Sequence, residues 1–429
     1  MPPYRRSRLA GACVVITSLF YIYWLLRPAS DEQIRLYRPP DGDDVLNSTL
    51  GFAQIFVINL PSRPDRRAAM SRAAAASNLS VTWRAGLAGA QVADHLPGLR
   101  SPGARGSWRA HMDAVAAVAA QGATAASGGT LIMEDDVDWD VRLRGQLADF
   151  AGASRAWLQR QQQHQRTASS APAPALERYH HHTNDDDDDD EGEHSIYGAG
   201  WDVLWLGHCG TDLPRDKKKE EEVVVALPDD ATVPAPRHLR PHPFALRDEP
   251  WGEGAAPPPH THTHTHTHTR LVLAARGTAC SLAYAVSGRG ARRIAAAFAF
   301  ADNHHHHNKG GAKEEEEEEE EKRYYQWDLM LRDWCQGTGT EEEEEEAAPV
   351  CITVQPPLVS HYYAGGGGSG GGSDIRGQGG GYARGAAGSA YVRLSVRRNL
   401  ERLEAAAGGW VPERELVDQW PDEGGETPW

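Results

Sequence analysis

Between Gly129 and Asp140 the chain reads Gly-Thr-Leu-Ile-Met-Glu-Asp-Asp-Val-Asp-Trp-Asp, an apolar run that stops abruptly in carboxylates. A strand reads this way when its carboxyl end opens on a ligand crevice. Strand alternation continued through the acids would set Glu134, Asp136 and Asp138 on one face and Asp135 on the other. Several carboxylates at one place repel each other unless positive charge lies between them. A hard divalent cation with oxygen ligands is the usual answer, and such a cation can hold a diphosphate. The competing reading is a strand that runs into a solvated acidic turn; the length of the acidic run favours the metal–phosphate reading.

The formal charge of -16 misleads, because three homopolymer runs (185–190, 314–321 and 341–346) carry twenty of the acids. Without them 44 basic residues face 40 acidic ones, so the remainder is near neutral and the acidity says little about partners. Blocks of like charge are usually solvated rather than packed. No interleaved basic and aromatic surface points to nucleic acid.

Residues 9–26, LAGACVVITSLFYIYWLL, carry no charge and are long enough to span a bilayer. Arg5, Arg6 and Arg8 precede them, and Tyr21, Tyr23 and Trp24 sit at the far end, where interfacial aromatics belong. The stretch is long for a signal peptide and ends in bulky aromatics, which favours an uncleaved anchor over a cleaved leader. Two sequons, Asn47-Ser48-Thr49 and Asn78-Leu79-Ser80, suit a lumenal body. The expectation is a single-pass type II membrane protein of the Golgi or endoplasmic reticulum. Beyond Cys13, four cysteines (Cys209, Cys280, Cys335, Cys351) allow three full pairings. A Cys335–Cys351 bridge is one possibility, since the two flank one acidic insert.

The expected organisation is a short tail (1–8), the anchor (9–26), a polar stem (27–50), one catalytic domain (51–390) and a C-terminal tail (391–429). The core begins with the buried strand 54–60 and a helix entered at Ser62, Arg63 and Pro64, with Ser62 as N-cap. A short strand at 81–85, a helix at 107–120 and the acidic strand follow, an alternation that predicts a parallel, doubly wound α/β sheet. Low-complexity inserts at about 159–194, 214–269, 303–322, 337–348 and 365–372 lack the composition to bury a core and read as surface-loop expansions. Between them lie strands at 201–208, 280–286 and 350–354 and helices at 288–299 and 324–334. A charged helix at 392–407 falls in the tail. The histidine tracts read as tolerated repeats rather than as a metal centre.

With these pieces in order, the chain resembles glycosyltransferase family 25, which includes lipooligosaccharide and procollagen galactosyltransferases. The resemblance spans about residues 54–374 with the inserts skipped. It rests on IFVINLPSRPDRR from Ile55 to Arg67, on Gly106-Ser107-Trp108-Arg109-Ala110-His111, and on LIMEDDV from Leu131 to Val137. WDVLWLGH, AYAVSGRGA from Ala283, Gln326-Trp327-Asp328-Leu329 and Ser360-His361-Tyr362 with Ser373-Asp374 complete it. The family's cysteine and serine near the histidine are Ser107 and Ala110 here. The resemblance implies a GT-A-type nucleotide-diphosphosugar transferase fold. It also implies a manganese (or magnesium) site and transfer of a sugar, often galactose, from a UDP-sugar donor to a glycan or protein acceptor.

Roles follow from what such a reaction needs. The leaving diphosphate gains charge that a divalent metal can neutralise. Asp136 is the first expected ligand, Glu134 the second, and His361 completes the shell. Asp135 would contact ribose or sugar, and Asn59 the nucleotide. Arg63, Arg66 and Arg67 would grip phosphate with guanidinium forks, and His111 would position the donor. Asp328 is the candidate general base for the acceptor hydroxyl, with Asp302 as a weaker alternative. Three other classes compete: an inactive nucleotide-sugar- or metal-binding protein on the same fold, a metal buffer built on the His and acidic tracts, and a metal-dependent phosphohydrolase.

Overall fold

The computed structural model describes residues 45, 47–92, 101–121, 128–168, 195–213, 223–239, 268–299, 326–337, 347–364, 387–406 and 411–424. The apolar run 9–26, the poly-Asp and poly-Glu runs, Asp302 and most of the histidine tracts lie outside them. Among the described residues no helix is long and apolar enough to cross a membrane.

The first strand, β1 (Gln54–Asn59), leads into α1 (Pro64–Ala76) and β2 (Val81–Ala85). The N-cap of α1 is Arg63 rather than Ser62, and its side chain makes no capping bond; Pro64 opens the helix and Asp65 sits in its first turn. Next comes α2 (Pro102–Ala119), capped by Ser101, whose side chain accepts from the Ala104 amide at 3.1 Å. β3 (Thr130–Glu134) and the short β4 (Val137–Trp139) follow, then the 26-residue α3 (Leu143–Ala168). The chain continues through β5 (Val203–Gly207), β6 (Val225–Leu227), the four-residue α4 (Pro236–Leu239), β7 (Arg270–Ala274) and β8 (Ala283–Val286). It ends with α5 (Gly288–Ala299), α6 (Trp327–Cys335), β9 (Cys351–Gln355), β10 (Val359–Tyr363), β11 (Gly388–Ser389) and α7 (Leu400–Ala405).

These strands form one sheet in the order β2-β1-β3-β8-β5-β9-β7-β6, with β10 bridging β4, β5 and β11. Strand alternation divides the core in two. Ile55, Val57, Leu131 and Met133 face α1 and α3, while Phe56 and Ile132 face α2, α5 and α6. The helices therefore cover both faces, as expected of an α/β domain. The sheet is mixed rather than parallel throughout. β1 runs parallel to β2 and β3, but β8 opposes both β3 and β5, and β7 opposes β9 and β6. Parallel neighbours need a crossover of about a dozen residues or more, usually helical. Of these antiparallel pairs only β6 and β7 are consecutive strands of the chain.

Two stretches read as surface inserts carry regular structure, and the second contributes to the core. Residues 159–168 complete α3, and β6, inside the 214–269 stretch, buries Val225, Ala226 and Leu227 against β7. The segment set apart as a tail is likewise integral. Its helix is only α7; residues 391–399 run alongside β4, with the Val396 amide bonded to Trp139 O and Val141 N to Leu394 O, both at 2.9 Å. The four cysteines pair as Cys209–Cys280 and Cys335–Cys351. The sequon asparagines Asn47 and Asn78 are both exposed. They lie before β1 and before β2, at the amino ends of these strands, where Arg144 donates to the carbonyls of both.

Candidate functional site

The chain passes from β1 to β2 through α1, then returns through α2 to the other side of β1 as β3. The gap between β1 and β3 is thus where travel across the sheet changes direction, and a crevice opens at the carboxyl ends of such strands. Asn59 closes β1 and Glu134 closes β3, so both stand at this gap.

The alternation expected through the acidic run stops at Glu134. The chain turns at Asp135 and Asp136 before β4 begins, so these two are not on opposite faces. Both reach one guanidinium: Arg66 Nη1 lies 3.2 Å from Asp135 Oδ1 and 2.8 Å from Asp136 Oδ2. Asn59 Nδ2 donates to Asp135 Oδ2 at 2.6 Å and to the carbonyl of Arg63 at 3.1 Å, tying the β1 end to the turn. His361, on β10 opposite Val137, places Nε2 3.3 Å from Asp136 Oδ2. Asp136 Oδ1 and His361 Nδ1 are buried without a hydrogen-bond partner among the described residues.

Electrostatics separates the carboxyls. Burial alone would push Asp136 up, but the His361, Arg66 and Arg397 charges outweigh it and hold the group well below the ordinary carboxylate range. Burial and the neighbouring Asp136 charge raise Asp135, which Asn59 and Arg66 only partly offset. Burial and the same Asp136 charge raise Glu134.

Glu134 faces a second group of residues. Its Oε1 accepts from Ser281 Oγ at 3.2 Å and lies 3.7 Å from His111 Nε2. His111 is buried, stacked on Trp327 with ring centroids 5.3 Å apart, and its Nδ1 is 3.1 Å from Tyr284 Oη. Burial pushes its imidazole down to about 3 against the pull of Asp328, so it is neutral. Asp328 sits in the first turn of α6 and accepts from the Cys280 amide at 2.8 Å, one residue before Ser281.

The three arginines expected to act together divide. Arg66 reaches the acidic turn. Arg63 forks onto Asp65 at 3.0 and 2.8 Å and, with this bond, draws the Asp65 carboxyl down to about 2. Arg67 lies over the Trp83 ring, 4.4 Å from its centroid. Asp138, placed by alternation with Glu134 and Asp136, is withdrawn from the crevice. It accepts from Ser389 Oγ at 2.6 Å, Ser395 Oγ at 2.5 Å and the Arg397 amide at 3.1 Å.

Sequence reasoning missed Ser281 and Arg397. Ser281 carries no motif of its own. Arg397 lies more than 250 residues from the turn in the sequence, within a run that reads as a charged helix.

Among the described residues, no three or more His, Cys, Asp or Glu side chains form a group that would hold a metal ion unaided. The nearest approach is the pair Asp136 and His361, with one carboxylate oxygen left unpartnered. That pair suits a cation whose remaining positions are filled by ligand oxygens. No protein-family model matches the chain, and no curated protein matches it at a significant level.

Proposed function

We propose that the chain is a metal-dependent glycosyltransferase of GT-A type, similar to family 25, moving a sugar, galactose first among candidates, from a UDP-sugar to a glycan or protein acceptor. The observation that carries this reading is the meeting of Asn59, Arg66, Asp135, Asp136 and His361 at the β1–β3 gap. A nucleoside diphosphate needs cationic and hydrogen-bonding groups at such a crevice, and these are of that kind. Asp136 and His361 would hold Mn²⁺ or Mg²⁺, and Glu134, now directed at Ser281 and His111, would join them by turning its carboxylate. A cation bound there would neutralise charge on the leaving diphosphate.

This chain's own residues then divide the work. Arg66 is poised to exchange a carboxylate for phosphate oxygens, since its guanidinium already lies at the turn. Asn59 fixes Asp135, leaving that carboxylate's second oxygen shared with Arg66. Asp328 is the proposed base for the acceptor hydroxyl, held in direction by the Cys280 amide. The setting we propose is lumenal, behind a type II anchor at 9–26 in the Golgi or endoplasmic reticulum.

The test is calorimetry and turnover with the purified full-length chain, a panel of UDP-sugars and Mn²⁺ or Mg²⁺, with and without chelator. Cation-dependent binding of one donor and its transfer or hydrolysis are expected; no affinity for any donor would reject the reading. One observation favours a second reading, a nucleotide-sugar-binding protein without turnover: Arg66 already neutralises Asp136. Donor binding that ignores chelator and yields no product would select it.

A further inference from the structure

The acidic turn exposes three consecutive backbone carbonyls, and all three are taken by residues distant in sequence. Arg397 Nη2 donates to Asp135 O at 2.8 Å and Arg397 Nε to Val137 O at 2.7 Å. Between them, the Tyr362 amide donates to Asp136 O at 2.8 Å. The Arg397 guanidinium also lies 5.4 Å from the centroid of the Tyr362 ring, so the two donors to the turn pack on each other.

The segment carrying Arg397 is itself tied down. The Arg397 amide and the hydroxyls of Ser389 and Ser395 converge on Asp138, two residues beyond Asp136. The Leu394 amide bonds Asp140 Oδ2 at 2.9 Å, and Asn399 exchanges bonds with the backbone of Val417.

We infer that residues 387–399 form a clamp that completes the candidate site, with Arg397 as the positioning residue that fixes the backbone on both sides of Asp136 and so aims the Asp135 and Asp136 carboxylates. A turn between two short strands has few ladder bonds to hold it, and a carboxylate displaced by about an ångström loses most of its value to a bound cation. A planar guanidinium with donors in a fixed fork spans two carbonyls at once, which an ammonium on a flexible stem cannot do with the same geometry. The clamp rests on the proposed function only for what the carboxylates bind; its hold on the turn does not.

The experiment compares the full-length chain with Arg397→Lys and Arg397→Gln, using Arg393→Lys as control. Arg393 belongs to the same segment but pairs with Asp418 and Asp422. Amide hydrogen exchange is followed over 133–138 without metal, and affinity for Mn²⁺ alone and for UDP with Mn²⁺ is measured by calorimetry.

In both Arg397 variants, exchange in the turn is expected to quicken at least tenfold and Mn²⁺ affinity to fall at least tenfold. Both stay at the wild-type level in Arg393→Lys, even if its melting temperature drops. Wild-type exchange in an Arg397 variant overturns the clamp, as does an equal change in Arg393→Lys. If the wild-type chain binds neither Mn²⁺ nor UDP, the transferase reading falls and the exchange result alone decides the clamp. If Arg397→Gln does not fold, Arg397→Lys carries the test, since it keeps the charge and one donor direction.

Discussion

Asp136 and Asp138 stand two residues apart, the first half-buried and the second fully buried, and their surroundings differ in kind. Asp138 is met by neutral donors, two serine hydroxyls and a backbone amide, all from the C-terminal segment. Asp136 is met by the Arg66 guanidinium and the His361 imidazole, and among the described residues keeps one oxygen without a partner. A buried carboxylate whose acceptor sites are filled by uncharged donors of the fold serves the fold. One held ionised by a neighbouring guanidinium, with an acceptor site unfilled, is available to a ligand.

The sharpest way to break this contrast is Asp136→Ala. Removing it should lower UDP-sugar turnover by about 10²- to 10³-fold, the scale for losing one group that stabilises developing charge. Its unfolding transition should fall only modestly, because the Arg66 guanidinium keeps its contact with Asp135 and is not left as an unpaired charge. Turnover and urea denaturation on the same preparation check both halves, and unchanged turnover would mean that Asp136 does not serve the reaction.

Asp138→Ala should show the opposite profile in stability. Leaving two buried hydroxyls and an amide unsatisfied should cost about 2–4 kcal/mol of unfolding free energy, with Asp138→Asn costing less because an acceptor oxygen remains. Denaturant titration reads this directly. If both Asp138 variants unfold like wild type, the serines do not hold the C-terminal segment through this carboxylate.

The same distinction extends to the buried histidines. Burial pushes His111 down to about 3 and His208 down to about 4, the latter despite its contact with the Val354 carbonyl. In the unfolded chain both protonate at the ordinary histidine value near 6.5. Between these values the unfolded chain binds more protons, so stability falls as pH drops below 6.5 and recovers as it rises. We expect a loss of about 1 kcal/mol per pH unit for each histidine, measured by denaturation from pH 7 to 5. Glu134, pushed up to about 8 by burial and the Asp136 charge, acts with the opposite sign over this range, so the histidine share is read as the reduced slope of His208→Gln, and an unchanged slope there would reject it.

Much of the frame was legible in the sequence because local pattern and burial agree there. Ile55, Phe56 and Val57 are apolar in succession because β1 is covered on both faces, and the acids after Met133 do mark a strand's carboxyl end. Alternation failed beyond Glu134 because a turn resets the period, and no glycine or proline at 135–136 announces it. Three residues of β6 are too few to make a pattern inside a stretch dominated by charge and proline. Arg397 was illegible for another reason: its partners are backbone carbonyls, which carry no side-chain signature.

The smallest effect separates two neighbouring arginines that the sequence treats alike. Arg66 points into the acidic turn, whereas Arg67, one residue on, is exposed and lies over Trp83 on the outer strand β2. An exposed cation–aromatic contact is worth about 0.5–1 kcal/mol, so Arg67→Ala should shift the denaturation midpoint slightly. It should leave donor affinity where it was, because its guanidinium is committed to the ring and not to the crevice. Calorimetry of Arg67→Ala with UDP and Mn²⁺ decides the matter. A clear loss of affinity would mean that the side chain leaves Trp83 for phosphate when the donor binds, and the arginines would then have to be read as one cationic group rather than as two neighbours with different duties.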